Sequence, residues 1–347
     1  MTEISRDSFR RAQMLYDYKL YSCKQFRTFS KYAWKTSKEL SDQYGGSRLP
    51  YWIDMMWSNL RYGAMHCRDY VEFEFFRKNG REKNTFFTLR RYFQLIKHFD
   101  KDTFFSLIDK ASMYGIYAKY IKRDWLLVDA ETPESLIRQF IIKHGRVLMK
   151  PVSSDKGKGI GAIDGSDEEA IKDLMERKSS NSYLLEEICV NCPELNAINA
   201  SSLNTLRLFT LVDSENEVQI IAAFLRCGRG NSIVDNWCAG GVGYPIDIET
   251  GIISYPGVDA VGKKYVLHPG TKMVMPGFKI PRFDEVCRLA KQIIEDNKKI
   301  VYAGLDFAVL PDRIEFIEIN FPAGYELIQT WDMVGKNHLF EHIYKSN

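Results

Sequence analysis

Leu305-Asp306-Phe307-Ala308-Val309-Leu310, then Pro311-Asp312-Arg313, then Ile314-Glu315-Phe316-Ile317-Glu318-Ile319-Asn320 is a pair of runs rich in apolar, β-branched and aromatic residues around a polar break. That is the pattern of a β-hairpin with a three-residue loop. A hairpin symmetric about Asp312 sets Leu310 opposite Ile314, Ala308 opposite Phe316 and Asp306 opposite Glu318. Side chains alternate faces along a strand, so Asp306, Glu318 and Asn320 then share one side of the sheet. Opposed carboxylates repel, and a strand interior suits neither, so a cation is expected between them. Two acids and one amide are hard oxygen donors, a set suited to Mg²⁺ that also carries substrate phosphates. The competing reading is a half-solvated hairpin whose acids face water.

Working back along the chain, Arg146-Val147-Leu148-Met149-Lys150-Pro151 reads as a strand ending in a lysine. Ser153-Ser154-Asp155-Lys156-Gly157-Lys158-Gly159-Ile160-Gly161 follows it. Glycines at 157, 159 and 161 let backbone N–H groups turn toward an anion, with Lys150 as a fixed charge beside them. It is not a Walker A loop, since no GxxxxGK[ST] occurs and the segment continues into a strand. Taken alone, such a loop is usually just a turn. Asp102 to Tyr120 reads as one helix carrying Lys110, and Trp125 to Val128 as a short strand. A second helix is capped by Thr132 and runs to His144, with Gly145 as its stop. Asp167 to Arg177 reads as a helix, and Ser182 to Val190 as a strand with acids in its middle. Leu206 to Val212 and Val218 to Cys227 read as strands carrying Arg207 and Arg226. A glycine-rich polar stretch with Asp235-Asn236 and Gly240-Gly241 comes next. Phe283 to Lys298 is the last long helix before the hairpin, and a short C-terminal helix closes the chain.

The 347 residues are 45% hydrophobic and 13% aromatic, enough for one large or two smaller cores, and the formal charge of +3 does not call for nucleic acid. The first forty residues are more basic, which suits a solvated helix face or contact with an anionic membrane surface. No apolar signal region and no membrane-length run is present, so a cytoplasmic protein is expected. Seven cysteines, an odd number, make no disulfide framework. Cys189 and Cys192 have CxxC spacing without a second pair or a nearby histidine, and read as small apolar residues. His268, before Pro269, reads as a loop residue. Residues 1–100, aromatic and basic with helical spacing near both ends, look like a helical or mixed N-terminal domain.

Lys110 in a helix, Lys150 before a glycine-rich loop, Leu184-Leu185-Glu186-Glu187 and the Asp, Glu-x-Asn hairpin occur in an order and spacing that resemble the ATP-grasp superfamily. Thr205-Leu206-Arg207, Ala223-Phe224-Leu225-Arg226, Asp235-Asn236 and Gly240-Gly241 look like the DIR...R...N...GG series of its glutamate-ligase-type members. Ser202-Leu203-Asn204-Thr205-Leu206-Arg207, Val234-Asp235-Asn236 and Ile317-Glu318-Ile319-Asn320 are most similar to the sugar-transfer-associated ATP-grasp family. The likeness spans residues 100 to 330. It implies an α+β ATP-grasp fold at 101–347, with a nucleotide-gripping subdomain at about 101–200 and a metal and substrate subdomain at 201–347, after the domain at 1–100.

The resemblance also implies roles. Lys110 and Lys150 would hold ATP phosphates, with Ser153, Ser154, Lys156, Gly157 and Gly159 in a mobile flap over them. Glu186, Glu187 and Cys189 would line adenine through the strand backbone. Glu194 would reach the ribose, although it stands one residue later than in the D-alanine ligases. Asp306, Glu318 and Asn320 would hold one or two Mg²⁺ ions, and Arg207, Arg226 and Asn236 would serve the reacting groups. Many members carry an arginine just before the metal aspartate. This chain has Gly304-Leu305 there, so Arg207 and Arg226 are expected to meet the phosphoryl charge.

A carboxylate does not react with an amine at neutral pH, because oxide would have to leave. Phosphoryl transfer from ATP first makes an acyl phosphate. The resemblance therefore implies an ADP-releasing carboxylate–amine ligase, joining an amino acid or amine to a sugar-borne carboxylate in polysaccharide assembly. The alternatives are an ATP-dependent kinase of a sugar or other small molecule, and a non-catalytic nucleotide-binding scaffold beside glycosyltransferases.

Overall fold

The computed structural model describes residues 23–65, 67–152, 159–230, 240–260 and 262–345. The chain divides into two compact units, one formed by the residues up to Phe99 together with those from Gly324 onward, the other by Asp100–Ala323.

The first unit is helical where described. Its helices are Cys23–Tyr44, Arg48–Tyr62, Cys67–Glu72, Gly80–Thr85 and Leu89–Ile96, joined by Leu327–Thr330 and Glu341–Tyr344 from the C-terminal segment. The breaks read at Gly45-Gly46-Ser47 and Asn79-Gly80 are helix boundaries. The Ser47 hydroxyl accepts from the Leu49 N–H, and Asn79 forms a reciprocal capping box with Glu82. Helix Arg48–Tyr62 stops at Gly63, whose φ of 75° only glycine adopts readily. A Cβ there would also lie 2.6 Å from Cβ of Arg90.

The unit's core is aromatic: Phe87 stacks on Phe340 with centroids 4.1 Å apart, and Phe73 packs on Phe86. Gln329 accepts from the Phe87 N–H at 2.7 Å and donates to its carbonyl at 3.0 Å, so one side chain does the work of a paired strand. Asp69 is buried beneath it and accepts from Leu89 N–H and Tyr325 O–H at 2.9 and 2.7 Å. Burial pushes its carboxyl up to about 7 even against those hydrogen bonds.

The second unit holds two antiparallel sheets. Its strands are β1 (Trp125–Val128), β2 (Arg146–Pro151), β3 (Gly161–Asp164), β4 (Tyr183–Glu187), β5 (Thr205–Val212), β6 (Val218–Cys227), β7 (Val242–Ile246), β8 (Gly257–Val258), β9 (Lys264–Tyr265), β10 (Tyr302–Val309) and β11 (Ile314–Asn320). The four-stranded sheet has the order β1-β4-β2-β3 and the seven-stranded sheet the order β11-β10-β5-β6-β7-β8-β9. Helices Glu134–His144 and Glu168–Arg177 share one core with the smaller sheet, closed by Ile137, Ile141, Val147, Ile171 and Leu185. Helix Phe283–Glu295 buries Phe283, Val286, Ala290, Ile293 and Ile294, the spacing of one helix face, and packs on β5 and β6. Among the described residues no helix is long and apolar enough to cross a membrane.

Three local expectations change. The single helix read over Asp102 to Tyr120 is two, Lys101–Ile108 and Lys110–Ile116. Asp109 interrupts it with an extended ψ of 117°, and its carboxylate caps the second helix by accepting from the Ser112 N–H and O–H at 2.8 and 2.7 Å. Thr132 does not cap the next helix; Pro133 occupies that position, while the Thr132 hydroxyl donates to the Asp129 carboxylate at 2.7 Å. The acidic strand ends at Glu187, short of Val190. His268 is buried, with Nε2 3.0 Å from the Gly228 carbonyl.

Candidate active site

The hairpin that anchors the sequence reading is present, but its register is not the symmetric one. Leu310 N–H donates to Arg313 C=O at 2.9 Å, so the loop is the two residues Pro311-Asp312. Near the turn Val309 therefore pairs with Ile314, Ala308 with Glu315 and Phe307 with Phe316, one residue off the expected pairing. Between Phe316 and Glu318 the chain inserts Ile317 as a bulge, and Asp306 then faces Glu318 as expected. The bulge has a second result. Glu315, which simple alternation puts on the other face from Glu318, shares the face of Asp306, Glu318 and Asn320.

Asp306 is fully buried at the centre of this face. Arg207, its register partner on β5, grips it with two donors: Nε on Oδ1 and a terminal nitrogen on Oδ2 at 2.7 Å. Arg226, from β6, donates to the same Oδ2 at 2.8 Å and to the hydroxyl of its own register partner Thr205 at 2.7 Å. Burial opposes the Asp306 charge, but the two guanidinium groups outweigh it and hold the carboxyl below the usual aspartate range. Asp306, one half of the opposed pair, thus has arginine as its counter-ion.

Gly304, two residues before Asp306, leaves room for Arg207. A Cβ at 304 would lie 2.9 Å from Cδ and 3.3 Å from a terminal nitrogen of Arg207, so that side chain lies over the bare backbone. Gly304→Ala is expected to displace Arg207 from Asp306 at about 1–3 kcal/mol. Thermal unfolding beside an activity assay checks this, and wild-type behaviour in both would refute the packing account.

Glu318 and Asn320, both half-buried, are hydrogen-bonded to each other at 3.2 Å. Among the described residues no three His, Cys, Asp or Glu side chains cluster to hold a metal, so the candidate donor set is two carboxylates and one amide. The set fits Mg²⁺ by lone-pair count. Of roughly four acceptor sites on the Asp306 carboxylate the arginines take three, and Glu318 lies within hydrogen-bonding reach of the carboxylate, a contact whose place a bound ion would take.

A buried network that the sequence did not reveal shares this face. Arg123, in the loop before β1, donates from Nε to Glu186 of β4 at 2.9 Å and from a terminal nitrogen to Glu315 of β11 at 3.0 Å. It also donates to the carbonyls of Phe316 and Ile317 at 2.7 and 3.1 Å, and to the Tyr114 hydroxyl. One side chain thus joins the two sheets and holds the carbonyls of the bulge. Lys150 donates to the same Glu186 carboxylate at 2.9 Å. Burial alone would raise Glu186; Lys150, Arg123 and the Tyr114 hydroxyl bring it down to about 2.

Other expected residues are placed as follows. Lys110 is the first residue of its helix and is half-buried. Glu186 does not offer its backbone to a base, because β4 lies between β1 and β2 and is paired on both sides there. The Glu187 N–H is likewise given to Asp124 C=O, at 2.9 Å. Cys189 lies beyond the strand, half-buried between the exposed Ile188 and Val190. Glu194 is exposed in the first turn of helix Pro193–Asn196. Gly159 has φ of 75°. Ser153, Ser154, Lys156, Gly157 and Asn236 lie outside the described residues. Arg229 ties the glycine-rich stretch to β9, donating to the Gly240 carbonyl and, at 2.8 Å, to the Tyr265 hydroxyl.

The sugar-transfer-associated ATP-grasp family model matches residues 91–345, most of the chain. The chain belongs to that family. Its fold is the α+β ATP-grasp fold, with a helical region before it. Solved structures similar to this family member include ATP-grasp ligase PsnB complexed with minimal precursor, at 13% identity and TM-score 0.42 over 70% of this chain and 61% of that one. D-alanyl-alanine synthetase A from Vibrio cholerae is similar at 12% identity and TM-score 0.46, over 69% and 64%. D-cycloserine synthetase DcsG is similar at 10% identity and TM-score 0.45, over 74% and 77%. The chain spans less than two thirds of the first two of these proteins. No curated protein matches it.

Proposed function

We propose that this ATP-grasp protein is an ATP- and Mg²⁺-dependent carboxylate–amine ligase, with ATP as a substrate, that forms an amide through an acyl phosphate and releases ADP. The observation that carries the reading is the convergence of Arg207 and Arg226 on buried Asp306, with Glu318 opposite and Asn320 beside it.

Lys150, oriented by its ion pair with Glu186, serves the ATP phosphates with Lys110 and the loop of Ser153, Ser154, Lys156, Gly157 and Gly159. The backbone at 188–190, past the end of β4, reads the adenine edge, and Glu194 serves the ribose. Asp306, Glu318 and Asn320 supply oxygen donors for Mg²⁺, which when bound neutralises charge on phosphate oxygens. Arg207 and Arg226, fixed in place before substrate arrives, stabilise negative charge developing on the transferred group without reorganising. Asn236 adds a polar contact to the acid or amine. The preferred acid is a sugar-borne carboxylate such as a uronic acid, and the preferred partner an amino acid, a pairing that rests on association with the family name.

ADP release with Mg-ATP, screened over pools of uronic acids against pools of amino acids with mass spectrometry of products, tests this. ADP and phosphate appearing only with both pools, and a product lighter than their sum by one water, is the expected result. A phosphorylated product from one pool alone would make the protein a kinase, and nucleotide binding without turnover on any pool would turn the search to a protein partner.

A further inference from the structure

The outward side of helix Arg48–Tyr62 is apolar along its length. Leu49, Ile53, Trp57 and Leu60 recur at helical spacing and are 49%, 54%, 57% and 54% exposed. A solvated helix carries charge on such a face. On the preceding helix, Cys23–Tyr44, the exposed residues Arg27, Lys31, Lys35 and Lys38 recur at the same spacing. Lys35 and Lys38 reach Glu39 and Asp42 one turn on, exposed pairs that neutralise little.

The two helices lie side by side, and the rows overlap along part of their length. Trp52 Nε1 donates to Ser30 C=O, and Arg48 donates to Trp34 C=O, so as one chain advances the other retreats and the helices are antiparallel. Trp34 meets Trp52 edge-on at 6.1 Å, marking the seam. At about 100° per residue, Trp34 falls between buried Ser37 and the basic row, and Trp52 between buried Asn59 and the apolar row. The same order around two antiparallel axes puts both rows on one outward face. That register sets Leu49 and Ile53 level with Arg27 and Lys31, while Trp57 and Leu60 continue past one end and Lys35 and Lys38 past the other; an apolar row continued by a basic one is the composition of a surface that lies in a bilayer's headgroup region. A second copy fits less well, because pairing the apolar rows about a two-fold axis draws two basic rows together.

We propose that this helical hairpin is a peripheral docking face for an anionic bilayer, seating Leu49, Ile53, Trp57 and Leu60 at the headgroup–acyl boundary while Arg27, Lys31, Lys35 and Lys38 meet lipid phosphates. This holds whether or not the protein is a ligase.

Flotation of the full chain with vesicles of phosphatidylcholine, alone or with about a third phosphatidylglycerol, tests it. Binding is expected to the anionic vesicles, to weaken as salt is raised, and to fall on the order of tenfold or more in Ile53→Ser/Trp57→Ser and in Lys31→Glu/Lys35→Glu. Equal binding to both vesicle types, binding unchanged in both double variants, or no binding at all would overturn it. No binding together with a dimer that Ile53→Ser/Trp57→Ser dissolves would assign the face to a second copy instead.

Discussion

Asp306→Asn is expected to abolish ADP formation and, in the same protein, to lower the thermal midpoint; Glu318→Gln is expected to do the first without the second. The difference comes from what each carboxylate holds in the fold. Asp306 is the shared counter-ion of Arg207 and Arg226, all three largely out of water. An amide keeps one acceptor for the two guanidinium groups and supplies no charge, so two buried cations face each other across a neutral group. Breaking a buried pair in this way costs on the order of 3 kcal/mol or more. Glu318 is half-buried, and its partners Asn320 and Asp306 can hydrogen-bond a glutamine equally well.

The stability loss has a definite pH dependence. The folded-state pKa of Asp306 lies below its ordinary value of 3.8, so its contribution is fully present above that value and is lost as pH falls through the folded pKa. Wild type and Asp306→Asn should therefore differ most in thermal midpoint near neutral pH and converge in acid. Turnover by Asp306→Asn at the wild-type rate would remove the site assignment. A midpoint difference that widened in acid would contradict the arginine account, whatever happened to activity.

Asp306 and Glu318 are legible as an opposed pair because strand alternation is a strong local rule and both lie within one short hairpin. Their register partners are not local. Arg207 stands ninety-nine residues from Asp306, and that a guanidinium would fill the space above Gly304 depends on which strand lies next to β10. Glu315 is the clearest case. Alternation from Glu318 puts it on the opposite face, and only an inserted residue, which no composition signal marks, brings it round. Arg123, in a loop without motif or periodicity, gives no sign of what it holds. Asp109 did carry a readable signal, since an Asp three residues before Ser112 is an N-cap pattern, but it lies within a run whose apolar spacing reads as one continuous helix. Glycine and lysine positions around the loop after Lys150 could be read for chemistry but not for placement.

Arg123→Lys is the sharpest test of how the two sheets are joined, because it keeps the charge and removes the shape. The guanidinium makes five contacts from one plane: the carboxylates of Glu186 and Glu315, the carbonyls of Phe316 and Ile317, and the Tyr114 hydroxyl. An ammonium has three donors in a compact cone and cannot span them. Glu186 keeps Lys150, and Glu315 keeps Arg313 at 3.1 Å and the backbone N–H groups of residues 122 and 123, so neither acid is stranded and the variant should fold. What goes unheld is the pair of carbonyls beside Ile317. That bulge sets Glu318 opposite Asp306, and a strand that slips by one residue turns every later side chain to the other face. Turnover should thus fall on the order of a hundredfold, more than the stability loss explains, because displacement of a reacting group's partners by about 1 Å has that cost. Arg123→Met, which removes the charge as well as the shape but leaves Glu186 with Lys150 and Glu315 with Arg313, should in contrast lose stability on the order of 1–3 kcal/mol. Measuring thermal midpoint and turnover in both variants separates the roles. Parallel losses of both in the lysine variant would make Arg123 only a fastener, whereas a folded, slow lysine variant beside an unstable methionine one would show that the bulge it grips keeps the acids of β10 and β11 in register.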